Sequence, residues 1–437
     1  MTTSDPKRLR RIAAASASGT IIEFYDFAIF GTAAVLVFSK VFFPSLGSSA
    51  GMAVSLATVG VAFVARPFGS ILFGHFGDRL GRKVTLVSTL LIMGGATVAI
   101  GLTPSADTIG PLAPVIIVLL RVLQGIAVGG EWAGASLLTA EHAPAGKRGF
   151  YGLFPQLGPS VGFMLACATF LGLSMTMSDE AFLAWGWRIP FLASFVLVVL
   201  GLYIRLSIAE SDVFKEAMKS NGPERFPLGQ VMSEQWRQVV VSSLASTYLF
   251  GLFYVGVTFL TSYATSELGL ERSTVLGLNI IGGAALVATT ILGAWLSDRI
   301  GRKRVSIIGS SAGVLASLAV FPIIDRGDPL DFLLGLSLLM AAVGIGYGVL
   351  ASYLPELFAT RYRYTGAGVS YNLASVLGGA VTPVLAATLM SSFGSIAIGV
   401  YLAILSLIGL VCISLTKDTT INAMAEEPER KHFSAAS

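Results

Sequence analysis

GDRLGRK, residues 77–83, returns as SDRIGRK at residues 297–303, 220 positions later. Five of the seven positions are identical, and Ile300 stands where the first copy has Leu80. Internal repetition outranks any single residue as a fold signal. A second pair supports it. Six residues separate Glu141 from Arg148, and six separate Glu356 from Arg363. The chain therefore reads as two related halves, and what surrounds the repeats decides their kind.

Long apolar runs surround them. The chain is 54% hydrophobic and only 12% charged, with a mean hydropathy of +0.77 over 437 residues. A soluble domain carries about 25% charge, so lipid is the main solvent expected here. A spanning helix needs about 20 mostly apolar residues. Twelve runs satisfy this: 17–40, 51–73, 84–103, 112–138, 150–173, 187–206, 238–261, 276–296, 305–323, 331–353, 366–389 and 393–415. Each GRK motif then lies between the second and third span of a six-span set. The implied organisation is a tail 1–16, a bundle 17–206, a central loop 207–237, a bundle 238–415 and a tail 416–437. The loop carries a short amphipathic helix, SDVFKEAMK.

Lys and Arg orient the spans. With the N-terminus inside, 23 of the 29 basic residues fall on the cytoplasmic side, and the outer segments keep only Lys40, Arg188, Arg272 and Arg326. Both termini are then cytoplasmic. Lys7, Arg8, Arg10 and Arg11 before an apolar run resemble a secretory signal. Here the small residues AAASASG precede the run, and Glu23 and Asp26 lie within it. An uncleaved first helix is the expectation. The pI of about 9.0 comes from short patches between spans, so no nucleic-acid partner is expected. Three His (His75, His142, His432) and two Cys (Cys167, Cys412) leave little for a metal site or a disulfide framework. No Ser–His or Cys–His arrangement or phosphate loop suggests an enzyme. GIGYG (344–348) follows no strand, so it reads as close helix packing, as does the Gly125/Gly129 spacing.

At this point the residues carry a resemblance. Gly74–Lys83 resembles the loop signature of the major facilitator superfamily, and the Glu–Arg pairs resemble its sugar-porter-like branches. IEFYDF (22–27), RVLQGIAVGGEWAGA (121–135), GWRIPF (186–191) and PELFATRYRYTGAG (355–368) together resemble the metabolite:proton symporter family. Its carriers take α-ketoglutarate, citrate, shikimate, or proline and betaine. The resemblance spans essentially the whole chain. It implies twelve helices in two six-helix bundles, alternating access, and no cofactor beyond the proton as coupling ion. Expected partners are a small-molecule substrate and membrane lipid, with the monomer as the working unit. The tail after Thr416 has no apolar heptad, unlike the long coiled coil of osmosensing betaine carriers. Gly158, Pro159 and Gly162 partly match an antiporter signature, although Phe154 replaces its first glycine. A proton-coupled exporter is therefore the alternative.

Glu23, Asp26, Arg66, Arg121 and Glu131 lie within spans, all in the first half. A charge at the helix centre costs roughly 2.5–3.5 kcal/mol even on insertion scales, so such groups face a bundle interior or a cavity. Glu23 and Asp26 are about 60° apart on their helix, and Arg121, Gln124 and Glu131 fall within an arc of about 80°. The expected proton-coupling groups are Asp26, Glu23 and Glu131, with Asp26 the titrating acid and Glu23 paired to an arginine. Arg121, Arg66 and Gln124 are expected to bind substrate. Tyr254, Asn279, Tyr347, Tyr371 and Asn372 would line the second half of the cavity or bond helix to helix. The gating set implied by the loop motifs is Asp78, Arg79, Gly81, Arg82, Lys83, Glu141 and Arg148. Its counterpart is Asp298, Arg299, Arg302, Lys303, Glu356 and Arg363. The aspartates would cap neighbouring helix termini or pair with arginines on the inner face. Duplicated halves with a midplane site between them make a transporter architecture. The expected function is proton-driven uptake of a small polar metabolite, an organic acid.

Overall fold

The computed structural model describes residues 6–80, 82–144, 146–206, 227–359 and 362–416. The side chains of residues 74–83 and of Glu141 are not among those described. The amphipathic helix expected at 211–219 also lies outside the described residues.

The described residues form helices and no strand. That follows from the solvent: in lipid every backbone N–H and C=O must be satisfied within its own segment. Among the described residues, eleven helices are long and apolar enough to cross a membrane: α1 Ser16–Val41, α2 Ala50–Phe73, α4 Leu112–Leu137, α5 Arg148–Thr176, α6 Gly186–Ile204, α7 Trp236–Ser266, α8 Arg272–Ile300, α9 Arg302–Ile324, α10 Pro329–Glu356, α11 Arg363–Phe393 and α12 Ser395–Leu415. The shorter apolar stretch Val87–Leu102, part of helix Arg82–Leu102, is α3 and completes the twelve. Several helices run past the apolar windows into polar flanks, because helix geometry continues where hydropathy ends.

Chain ends are handled locally. Gly301, at φ +96°, turns the chain between α8 and α9 where an L side chain would be strained. Asp328 caps α10, its carboxylate accepting from the Leu330 amide at 2.8 Å. On α12, Val400, Ile404, Leu407 and Val411 are exposed at helical spacing and form a lipid-facing stripe.

Within the first half α1 packs on α5, α2 on α4, and α3 on α4 and α6. Within the second, α8 and α9 pack on α10, and α12 packs on α7 and α9. The halves meet chiefly through α5 against α8 and α10, and through α2 and α4 against α11. The glycine spacing explains how α2 and α4 approach so closely. A Cβ at Gly125 would lie 2.1 Å from the Ala62 carbonyl oxygen, and one at Gly129 2.0 Å from that of Arg66. GIGYG likewise packs against α8, where a Cβ at Gly348 would meet the Thr290 oxygen at 2.2 Å.

Two irregularities matter. α1, α7 and α11 each contain a five-residue π-helical segment: Ala34–Phe38, Val255–Phe259 and Val376–Ala380. The first two occupy equivalent places in the two halves and lie where α1 meets α7. α4 is interrupted at Gly129 and Gly130 and resumes at Glu131.

Candidate functional site

Glu23 and Asp26 lie three residues apart on α1, yet they face different neighbours. Asp26 is fully buried and turns into the first bundle. Ser194 of α6 donates to its Oδ1 at 2.6 Å, and Thr97 of α3 donates to its Oδ2 at 2.8 Å. Gln124 Nε2 donates to the Thr97 hydroxyl at 2.7 Å, and Arg121 Nη1 donates to Gln124 Oε1 at 2.8 Å. Asp26 and Arg121 are thus linked through two neutral side chains. Arg121 Nε and Nη2 donate to the Thr58 and Val59 carbonyls of α2, at 3.4 and 3.2 Å. Its guanidinium also lies 3.8 Å from the Phe30 ring centroid and 4.7 Å from that of Phe27.

Glu23 faces the second half of the molecule. Its carboxylate stands 3.8 Å from Arg66 Nη2, and both residues are almost fully buried. Arg66 lies 4.5 Å from the ring centroids of both Phe27 and Phe63. None of its three guanidinium nitrogens makes a hydrogen bond. Tyr254, Tyr347 and Tyr371 lie within electrostatic reach of this pair. The hydroxyls of Tyr254, Tyr347 and Thr258 are buried without hydrogen-bond partners. A narrow void beside Arg66's neighbours is lined by Phe24, Phe27, Ala28, Gly31, Val59, Phe253, Tyr254, Val257 and Thr258.

The other expected residues spread out. Glu131 opens the second segment of α4, where the helix dipole favours an anion. Asn279 donates to Thr261 of α7 at 2.9 Å, a bond within the second half. Asn372 donates to the Gly129 carbonyl at 2.8 Å, and Tyr364 to the Gly130 carbonyl at 3.0 Å. The break in α4 frees those carbonyls, and α11 of the other half takes them up. Tyr371 stacks on Trp132, centroids 3.8 Å apart at 9°. Trp132 donates to Gln156 Oε1 at 2.9 Å, and Gln156 donates to the Tyr347 carbonyl at 2.9 Å. These contacts close the halves together toward the end that carries the duplicated loops. Sequence reasoning passed over Trp132, Gln156, Tyr364, Thr97 and Ser194. Gln156 was detectable as an amide within an apolar span. Ser and Thr give no such signal, because in helices they usually bond their own backbone.

Of the gating set, Asp78, Arg79, Gly81, Arg82, Lys83 and Glu141 lie outside the described side chains. The second copy is described. Asp298 accepts from the Gly149 and Phe150 amides at the start of α5, both at 2.8 Å. A carboxylate from one half thus caps a helix of the other, where the dipole favours it. Arg302 pairs with Asp298 at 2.9 Å and with Glu356 at 3.6 Å, and its Nη1 donates to the Ser297 carbonyl at 2.7 Å. Arg299 lies over Trp295, while Lys303 donates to the Ser414 and Thr416 carbonyls at the end of α12. Arg148 and Arg363 open α5 and α11. At the opposite end the same α5–α8 seam holds Arg272, 2.6 Å from Asp179 and 2.8 Å from the Ser174 hydroxyl. Gly158 and Gly162 serve packing: a Cβ at either would come within 3 Å of the α1 backbone.

A family model described as sugar (and other) transporter matches residues 12–427. The inner membrane metabolite transport protein YhjE of Escherichia coli K12 is 44% identical over 414 residues, 94% of each chain. The shikimate transporter of the same organism is 38% identical over 421 residues, covering 94% of this chain and 95% of that one. Its proline/betaine transporter is 33% identical over 433 residues, covering 96% and 85%. The fold matches that of the proton:xylose symporter XylE, with a TM-score of 0.76 at 19% identity over 95% of this chain and 97% of that one. The chain belongs to the sugar (and other) transporter family, and is a multi-pass transporter of the cell membrane rather than an enzyme.

Proposed function

We propose that the chain takes up an organic acid together with protons, both termini lying in the cytoplasm. The observation that carries this reading is the setting of Asp26. Among the described residues it has no ion pair, and its two partners are hydroxyls. A hydroxyl can donate to a carboxylate or accept from a carboxylic acid. The site can therefore hold Asp26 in either protonation state without rearranging helices, as a proton carrier must. The chain Thr97–Gln124–Arg121 would relay that state to α4 and to α2, the helix that carries Arg66. Substrate would occupy the space between the halves around Arg66, Tyr254 and Tyr347. Opening toward the cytoplasm would break the Asn372 and Tyr364 bonds to the α4 carbonyls, the Trp132–Tyr371 stack and the Asp298 cap. The relatives named as metabolite, shikimate and proline/betaine transporters support a small polar solute. The exporter alternative rests on Gly158, Pro159 and Gly162, of which the two glycines pack against α1.

The test is uptake into proteoliposomes under an imposed inward proton gradient, across a panel of organic acids, betaines and sugars. Accumulation of an organic acid that a protonophore abolishes is the expected result. Accumulation that survives collapse of the gradient rejects the coupling, and proton-driven loss of preloaded solute favours export.

A further inference from the structure

Resting on that transport reading, we infer that Arg66 is the substrate's anchor and that the substrate is a compact monocarboxylate. The two intramembrane arginines differ in what they have left to offer. Arg121 has a hydrogen-bond acceptor for each of its three nitrogens. Arg66 is equally buried, and its three nitrogens have none. A buried donor left without an acceptor is costly, and a charged one more so. The Glu23 carboxylate, 3.8 Å away, stands beyond hydrogen-bond distance of it. A planar guanidinium is built to take a carboxylate with two parallel N–H donors. Arg66 lies at the meeting of the halves, between Phe63 of α2 and the tyrosines of α7, α10 and α11. Groups from both halves can therefore close on what it holds.

The count of charges limits the ligand. Arg66 already shares its charge with Glu23 at 3.8 Å, so a single ligand carboxylate is the most its unbonded nitrogens can take. A second carboxylate on the same ligand would meet Glu23 and apolar walls, and a buried uncompensated charge is strongly disfavoured. A zwitterion would carry its cation next to its own carboxylate, beside Arg66. Phe27 already carries both guanidiniums and Phe63 that of Arg66, so a ligand cation held on those rings would face like charge. The buried hydroxyls of Tyr254, Tyr347 and Thr258, which have no hydrogen-bond partner among the described residues, can serve one or two oxygen substituents on an otherwise apolar body.

Binding separates this inference from the coupling it rests on. Purified protein in detergent is titrated with acetate, lactate, benzoate, succinate, citrate and glycine betaine, and thermal stabilisation is read. A monocarboxylate from the panel raises the melting temperature of the wild type; the di- and triacids and betaine do not. Arg66→Lys weakens that binding at least about tenfold, because the fork is lost while the charge stays. Should Arg66→Lys be unstable, Tyr254→Phe and Tyr347→Phe supply the readout, each weakening the same ligand several-fold. Wild-type affinity in Arg66→Lys, or in both tyrosine variants, overturns the anchor. Tighter binding of succinate, citrate or betaine overturns the class, as does the absence of binding by every monocarboxylate. A monocarboxylate that binds through Arg66 yet is not accumulated by a proton gradient leaves the anchor standing and removes the coupling.

Discussion

α1 carries two acids three residues apart, and they sit in opposite circumstances. Asp26 belongs to a connected network: two hydroxyls, an amide and an arginine with an acceptor on each nitrogen, all from the first six-helix bundle. Glu23 stands 3.8 Å from an arginine whose nitrogens make no hydrogen bond among the described residues, with tyrosines of the second bundle close by. The difference arises from which helices lie on either side of α1. α3 and α6 bring polar side chains to one side, whereas α2 and α7 bring aromatics to the other. Buried arginines are therefore not equivalent because both are buried. What distinguishes them is whether their donors are spent, and only the unspent one has interaction energy to give a ligand.

The sharpest way to break this comparison is to make the same substitution at both arginines. Arg121→Lys keeps the charge but cannot reproduce the three directed hydrogen bonds. At about 1–1.5 kcal/mol for each bond lost, it should destabilise the protein by about 3 kcal/mol. Arg66→Lys forfeits no hydrogen bond and should cost under about 1 kcal/mol in stability, while uptake falls by at least about tenfold. Thermal unfolding in detergent, run beside uptake, separates the two. Equal losses of melting temperature would dissolve the distinction between spent and unspent donors.

A smaller effect is expected at the bridge. Gln124→Leu removes the amide between Arg121 and Thr97 and strands one Arg121 donor, for about 1–3 kcal/mol. Exchange of substrate across the membrane should persist, while the steady-state accumulation ratio should fall. If accumulation is unchanged, the Asp26 and Arg121 ends of the network act independently.

The mildest change lies outside both clusters. Asp298→Asn weakens an interaction between a carboxylate and the start of α5, worth about 0.3–1 kcal/mol. Transport should slow by a few-fold with substrate binding nearly unchanged. Wild-type turnover would leave the second loop motif a topological role only.

The spans were readable because charge is nearly absent from apolar runs of membrane length. The duplication was readable because polar loop residues repeat at a fixed distance. Gly125 and Gly129 announced close packing of α4 for the simple reason that no other residue tolerates a backbone at 2 Å from its Cβ position. The π-helical segments of α1, α7 and α11 were not readable, since AVLVF, VGVTF and VLGGA are as apolar as their surroundings. The 60° between Glu23 and Asp26 would let them share a face, yet Asp26 meets Ser194 and Thr97 while Glu23 meets Arg66. What separates the two acids is the identity of the flanking helices, and that is a property of the assembled bundle. The same holds for Ser194 and Thr97, which become notable only once α3 and α6 are known to lie against Asp26. The glycine pair at 129–130 was visible, but its consequence was not: freed carbonyls matter only because Asn372 and Tyr364 arrive from the other half.

The central claim is that Asp26 carries the coupled proton, and Asp26→Asn tests it most directly. Asparagine keeps the shape and can bond to the Ser194 and Thr97 hydroxyls, but it cannot take up and release a proton. In proteoliposomes the variant should exchange labelled for unlabelled substrate at close to the wild-type rate, since exchange needs no net proton movement. Under an imposed proton gradient it should fail to accumulate substrate above the equilibrium ratio. An Asp26→Asn protein that still accumulates substrate against its gradient would show that the proton travels elsewhere.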